Sequence, residues 1–157
     1  MNFRNKNVEN THEFFMLQAI ELAKEAKQLG DWPFGAVVVC NGKIVGKGKA
    51  QDKITKDVTD HAEIGAIREA CKMLKSSDLK DCVIYCSNEP CLMCASCIFQ
   101  ANISHVVIGA SRDDLSRLLR PRKIKIENLA DDSGRTIEIV RGVLKEKVLE
   151  LFSDIKK

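Results

Sequence analysis

Proline, tryptophan and tyrosine are scarce in this chain, at three, one and one among 157 residues. Beside only nine glycines, those three prolines exclude a collagen-like repeat and a Pro-rich linker architecture. No apolar run approaches the roughly 18 residues of a membrane-crossing helix. The first ten residues, M-N-F-R-N-K-N-V-E-N, lack the apolar core of a secretory leader. A cytoplasmic location with no membrane partner is therefore expected. A strong excess of one charge is missing too. Twenty-five basic against 22 acidic residues leave a net +3, too mild to imply nucleic-acid binding and no bar to it.

A globular composition is present: 45% hydrophobic and 30% charged residues. The length suits a single domain over 1–157. A chain of this size buries roughly 70% of its unfolded surface, so its core needs no disulfides. Yet there are seven cysteines: 40, 71, 82, 86, 91, 94 and 97. An odd number in a reducing context points to metal binding or plain burial.

Helical spacing runs through Phe14, Leu17, Ile20 and Ala23, widened by Leu22 and Ala26, after Thr11 and Glu13. Gly30 is a natural helix end, and Trp32-Pro33 breaks any continuation. A-V-V-V-C within 35–40 reads as a buried strand. Asn41-Gly42 signals a hairpin returning through 43–49. Residues 51–60 read as a polar loop, and 61–74 as a helix with Ile64, Ile67, Cys71 and Leu74 on one face. A turn over 76–81 leads to a strand at 82–86. Pro90 opens another helix, and 104–110 forms a fourth strand. Residues 111–125 read as a short helix, then a basic stretch with Arg112, Arg117, Arg120, Arg122, Lys123 and Lys125. A fifth strand is expected at 136–140 and a last amphipathic helix at 143–155. Strands alternating with helices predict an α/β sheet covered on both faces.

The residues suited to chemistry are His61, Glu63, Cys91 and Cys94. Cys91 and Cys94, three apart behind Pro90, share one face of a first helical turn. The positive end of a helix favours thiolate there. His61 opens the preceding helix with Glu63 two residues on. A fold that joins the two helix starts would set one imidazole and two thiolates around zinc. Three ligands leave a fourth position for water, whose pKa zinc lowers toward neutrality. Glu63 then suits proton transfer rather than metal binding. Each part has a plainer alternative: buried thiols, a helix cap, a carboxylate serving the helix dipole.

H-A-E followed about thirty residues later by P-C-x-x-C is a known pattern of zinc deaminases. The chain resembles the cytidine-deaminase-like superfamily, in its nucleobase and tRNA-adenosine deaminase branch. The resemblance is carried by P-F-G-A-V-V-V from Pro33, T-D-H-A-E-I from Thr59 and E-P-C-L-M-C from Glu89. H-V-V-I-G-A from His105 and G-V-L-K-E-K-V-L-E-L-F from Gly142 extend it over nearly the whole chain. It implies a three-layer αβα sandwich around a mixed five-stranded sheet. It also implies one zinc per chain on His61, Cys91 and Cys94, Glu63 as proton shuttle, and a homodimer.

Guanine is the substrate favoured by this resemblance, because Pro33-Phe34-Gly35-Ala36 is similar to guanine deaminases. Asp114 aligns with their substrate-binding acid, and a carboxylate accepts from both the N1–H and the amine of guanine. Phe34 and Ala62, inside the shared motifs, join Asp114 and Trp32 as the expected substrate-binding set. Trp32 could stack on a base or cap the first helix. The chain departs from guanine deaminases at Gln100, where they have Trp, and near Ala50 and Gln51, where they have Asn. Adenosine in tRNA is the alternative substrate, and cytosine or a small nucleoside a third. From tRNA deaminases the chain departs by carrying D-D-L-S-R-L-L after the fourth strand. A non-enzymatic reading remains: a zinc-stabilised nucleic-acid-binding module, with Cys97 closing the metal site. Asp60 is either a supporting partner of the site or a substrate contact, and Phe99 either core or substrate wall. The other cysteines, His12 and His105 are expected outside the metal site.

Overall fold

A computed structural model of the chain describes residues 6–156. The run G-A-V-V-V-C forms β1 (Gly35–Cys40), at the heart of the sheet and buried on both faces. It turns through Asn41 and Gly42, both at positive φ (50° and 74°), into antiparallel β2 (Lys43–Lys49). On its other side β1 pairs antiparallel with β3 (Cys82–Asn88). Then β4 (His105–Ala110) and β5 (Glu138–Arg141) add in parallel, giving the order β2-β1-β3-β4-β5.

Side chains alternate between two cores, as a pleated sheet requires. Ala36, Val38, Ile84, Cys86, Val106 and Ile108 meet helices α3 (Ala62–Leu74), α4 (Leu92–Gln100) and α5 (Ile126–Asp132). Val37, Val39, Tyr85 and Val107 meet α1 (Lys6–Gln28) and the segment of α6 (Lys145–Glu150) with Phe152. The architecture is thus the expected three-layer αβα sandwich on a mixed five-stranded sheet. Among the described residues no helix is long and apolar enough to cross a membrane.

The departures lie in the helices. The first already runs at Lys6, upstream of the expected start. It buries Phe15, Met16, Ala19, Ile20, Ala23 and Ala26, while Phe14 and Leu17 face outward. The cause is a close approach: a Cβ on Gly35 would collide with the Ala19 carbonyl and the Ala23 amide. The alanine side of the helix therefore seats on the sheet. The polar loop after β2 contains a single helical turn, α2 (Asp52–Thr55). Helix α3 buries Ala62, Ala66 and Ala70, and Leu74 is exposed instead of buried. The basic stretch holds only a 3-10 turn at Asp113–Leu115, but it leads into the unforeseen α5. The signal was there in Ile126, Leu129 and Ala130 at helical spacing before Ser133-Gly134. The last helix is shorter than 143–155, because Leu144 takes a left-handed φ of 54° and α6 starts after it. Beyond Glu150 the chain tightens into turns closed by i to i−3 bonds, such as Phe152 N–H to Leu149 O at 3.0 Å.

Candidate active site

The parallel strands β3 and β4 end beside the starts of α3 and α4, the usual place for a ligand in an open α/β sheet. β2 sets the position of α3. A Cβ on Gly48 would overlap the Ala62 carbonyl, so only glycine lets the first turn of α3 lie this close to the sheet. His61 caps that helix from an extended backbone, and Cys91 does the same for α4.

The two caps face each other. His61 Nδ1 lies 3.6 Å from Cys91 Sγ and 3.5 Å from Cys94 Sγ. All three donor atoms fall within 4.8 Å of one another. Zn–N near 2.0 Å and Zn–S near 2.3 Å around a tetrahedral centre imply N···S edges of about 3.5 Å. The trio therefore has the dimensions and the donor set of a zinc site. The three groups also shift one another's protonation. The Cys91 thiol is held down to about 3 by hydrogen bonds from Cys94, His61 and the Cys94 amide, against the effect of burial. His61 is pulled up by its bond to Cys91. The Cys94 thiol is pushed up by the neighbouring Cys91 and by burial.

Glu63, on the first turn of α3, is 8% exposed. Burial pushes its carboxyl up, while bonds from its own backbone amide and from Cys94 pull the other way. It borders a cavity of about 130 Å³ together with Phe34, His61 and Cys91. Asn88, Glu89, Arg112 and Arg122 complete the polar part of that wall, and Leu115 and Leu119 add apolar surface.

Of the expected substrate-binding set, only Phe34 reaches this wall. Trp32 stacks on Phe34 from behind, with centroids 6.1 Å apart, under the Lys53 ammonium. Ala62 is buried beneath β2. The carboxylate of Asp114 accepts from the Ser111 amide at 2.8 Å and faces Lys145 at 3.7 Å, holding the turn after β4. Asp60, next to His61, accepts from the Thr55 hydroxyl at 2.9 Å and braces the loop after β2. Phe99 is core. Cys97 lies outside the trio, half-buried against the core. His12 bonds the Tyr85 hydroxyl at 2.9 Å, and His105 pairs with Glu138.

Sequence reasoning missed Asn88 and Glu89 as wall residues, and had Arg112 and Arg122 only within a basic run that either binds phosphate or RNA or is solvated surface. Glu89 stands in the E-P-C motif itself. It accepts from the Arg112 amide at 2.8 Å and from Arg141 at 2.9 Å, so its charge is spent within the protein. Asn88 ends β3 immediately before that motif, which was the available signal.

Residues 9–110 match the family described as the cytidine and deoxycytidylate deaminase zinc-binding region. The chain belongs to this family. It is accordingly a zinc-dependent deaminase, and its Cys/Cys/His trio is where the family's metal fits. Among its relatives is the tRNA-specific adenosine deaminase of Buchnera aphidicola subsp. Baizongia pistaciae. That protein is 35% identical over 148 residues, 94% of this chain and 90% of the relative. The guanine deaminase of Bacillus subtilis is 42% identical over 104 residues, 66% of this deaminase and 67% of the relative. A solved structure of a tRNA:A34 deaminase superposes with a TM-score of 0.76 at 28% identity, covering 88% of this chain and 98% of that one.

Proposed function

We propose that this deaminase acts on adenosine carried by an RNA strand, with tRNA as the substrate class. The observation that carries this reading is the charge of the cavity wall. Arg112 and Arg122 both face it, close enough for the charge on Arg122 to oppose that on Arg112. The acid expected to hold guanine, Asp114, is occupied at the turn after β4. Two guanidiniums beside a base-sized cavity suit a base attached to phosphodiesters. The relative that spans most of the chain acts, by its name, on tRNA adenosine.

In this reading His61 Nδ1, Cys91 Sγ and Cys94 Sγ would hold the zinc, which would supply an activated water. Glu63 would accept one proton of the attacking water and pass it to the ring nitrogen beside the reacting carbon, then move the water's second proton to the departing amine. The C–NH2 bond is replaced by C=O, one water is consumed and one ammonia leaves. The buried position of Glu63 keeps its proton from exchanging freely with solvent. Phe34 offers a ring face to the base, backed by Trp32 and by Phe152 at 5.9 Å.

Guanine is the second reading, supported by Pro33-Phe34-Gly35-Ala36 and by the Bacillus relative. The test is ammonia release by zinc-loaded protein from a tRNA anticodon stem-loop bearing adenosine and, separately, from guanine. Release from the stem-loop that falls steeply with added salt is the expected result. Release from guanine alone, insensitive to salt, replaces this reading with the second.

A further inference from the structure

The amide of Asn88 is the wall group whose bonding is incomplete. The residue is 6% exposed at the end of β3. Its orientation follows from a short relay. The Gly35 amide donates to Ser87 Oγ at 3.0 Å. The Ser87 hydroxyl, still holding its own proton, donates to Asn88 Oδ1 at 2.8 Å. The oxygen end of the amide is thereby fixed on Ser87. The nitrogen end, Nδ2, is buried and has no hydrogen-bond partner among the described residues. An unpaired buried donor is costly and uncommon, and this one belongs to a residue lining the cavity beside Glu63 and His61.

We propose that Asn88 is a base-reading residue: its Nδ2–H2 donates to an acceptor atom on the edge of the substrate's ring. The proposal rests on the deaminase reading above and sharpens its substrate class. Apart from its leaving amine, adenine presents only acceptors, at N1, N3 and N7. Guanine presents an N1–H donor as well. Guanine keeps acceptors at O6, N3 and N7, so a fixed donor favours adenine where it meets position 1 of the ring. The rigidity of the relay makes the choice specific, because the amide cannot flip to offer its oxygen without breaking the bond from Ser87.

Asn88→Asp is the informative variant. It keeps an oxygen for the Ser87 hydroxyl and replaces the donor by an acceptor. Asn88→Ala removes both. Zinc content and thermal melting are measured on both variants. Binding of tRNA anticodon stem-loops bearing adenosine or guanosine at the target position is measured by calorimetry on the zinc-loaded full chain, alongside ammonia release from each. Wild type is expected to prefer adenosine. Asn88→Asp should lose roughly ten- to hundred-fold in adenosine affinity and shift the preference toward guanosine, with zinc content unchanged. Asn88→Ala should weaken adenosine binding by about ten-fold without gaining guanosine. An unchanged preference in Asn88→Asp overturns the proposal, as does a fall in melting temperature alone. Because binding is read without turnover, the two readings separate. A preference that follows residue 88 with no ammonia released supports the base-reading role and overturns the deamination of these bases. Turnover that ignores residue 88 does the reverse. Zinc-loaded protein that neither binds nor turns over either stem-loop overturns both.

Discussion

Residues 9–110 and residues 111–156 build one cavity between them by different means. The first region supplies Phe34, His61, Glu63, Asn88, Glu89 and Cys91 from strand ends and helix starts. Backbone ladders and the buried sheet hold those positions. The second supplies Ser111, Arg112, Leu115, Leu119 and Arg122 from a 3-10 turn and its flanks. Side-chain clamps hold that segment. Arg117 donates to the Phe152 and Ile155 carbonyls at 3.1 and 2.9 Å, Lys27 to the Leu151 carbonyl at 2.7 Å, and Lys125 pairs with Asp113. Arg112 Nε reaches the Arg120 carbonyl at 2.6 Å. The chemistry thus sits on the part whose geometry is over-determined by hydrogen bonding. The two arginines of the wall sit on the part held by replaceable contacts.

Mutations that contrast the two regions test this division. The largest effect is expected for Cys94→Ser: zinc content, read by atomic emission, falls to near zero and melting drops, because metal binding is coupled to folding. Zinc retained at wild-type level would remove Cys94 from the ligand set. Next, Glu63→Ala should keep the metal and lose about 100- to 10,000-fold in turnover, measured as ammonia release. In the second region, Phe152→Ala empties a fully buried site and should cost about 3–5 kcal/mol of stability by denaturant titration. Since Phe152 backs Phe34 in the same chain, the KM should rise as well. The smallest effect is expected for Asp114→Asn. Its pairing with Lys145 is partly exposed and should be worth about 0–1 kcal/mol, with base preference unchanged. A marked gain or loss of guanine turnover in that variant would return Asp114 to the substrate and break the comparison.

The same division governs what could be read in advance. The strands at 35–40 and 43–49, the Asn41-Gly42 turn and the helix after His61 were legible, because their signals are local: β-branched runs, a turn dipeptide, a cap. The metal trio was legible for the same reason, each ligand sitting at a helix start. The orientation of α1 was legible only in part: Ile20, Ala23 and Ala26 are buried as expected, Phe14 and Leu17 are not. Phe14 and Leu17 fit a helical stripe, but the stripe that wins is the one whose alanines fit against Gly35. Nor was the engagement of Asp114 legible, since it depends on a turn geometry that aims its carboxylate at the Ser111 amide.

By itself the sequence determined the sheet-forming segments, the Cys/Cys/His donor set and the placement of Glu63 near it. These follow from residue type and short-range spacing, which survive whatever the rest of the chain does. Tertiary structure decided which groups face the cavity: Arg112 and Arg122 rather than Asp114, and an Asn88 whose oxygen is committed to Ser87. It also brought Phe152 behind Phe34 across a sequence separation of more than a hundred residues. Such contacts depend on how close two backbones come, and that distance is set by packing around the whole sheet.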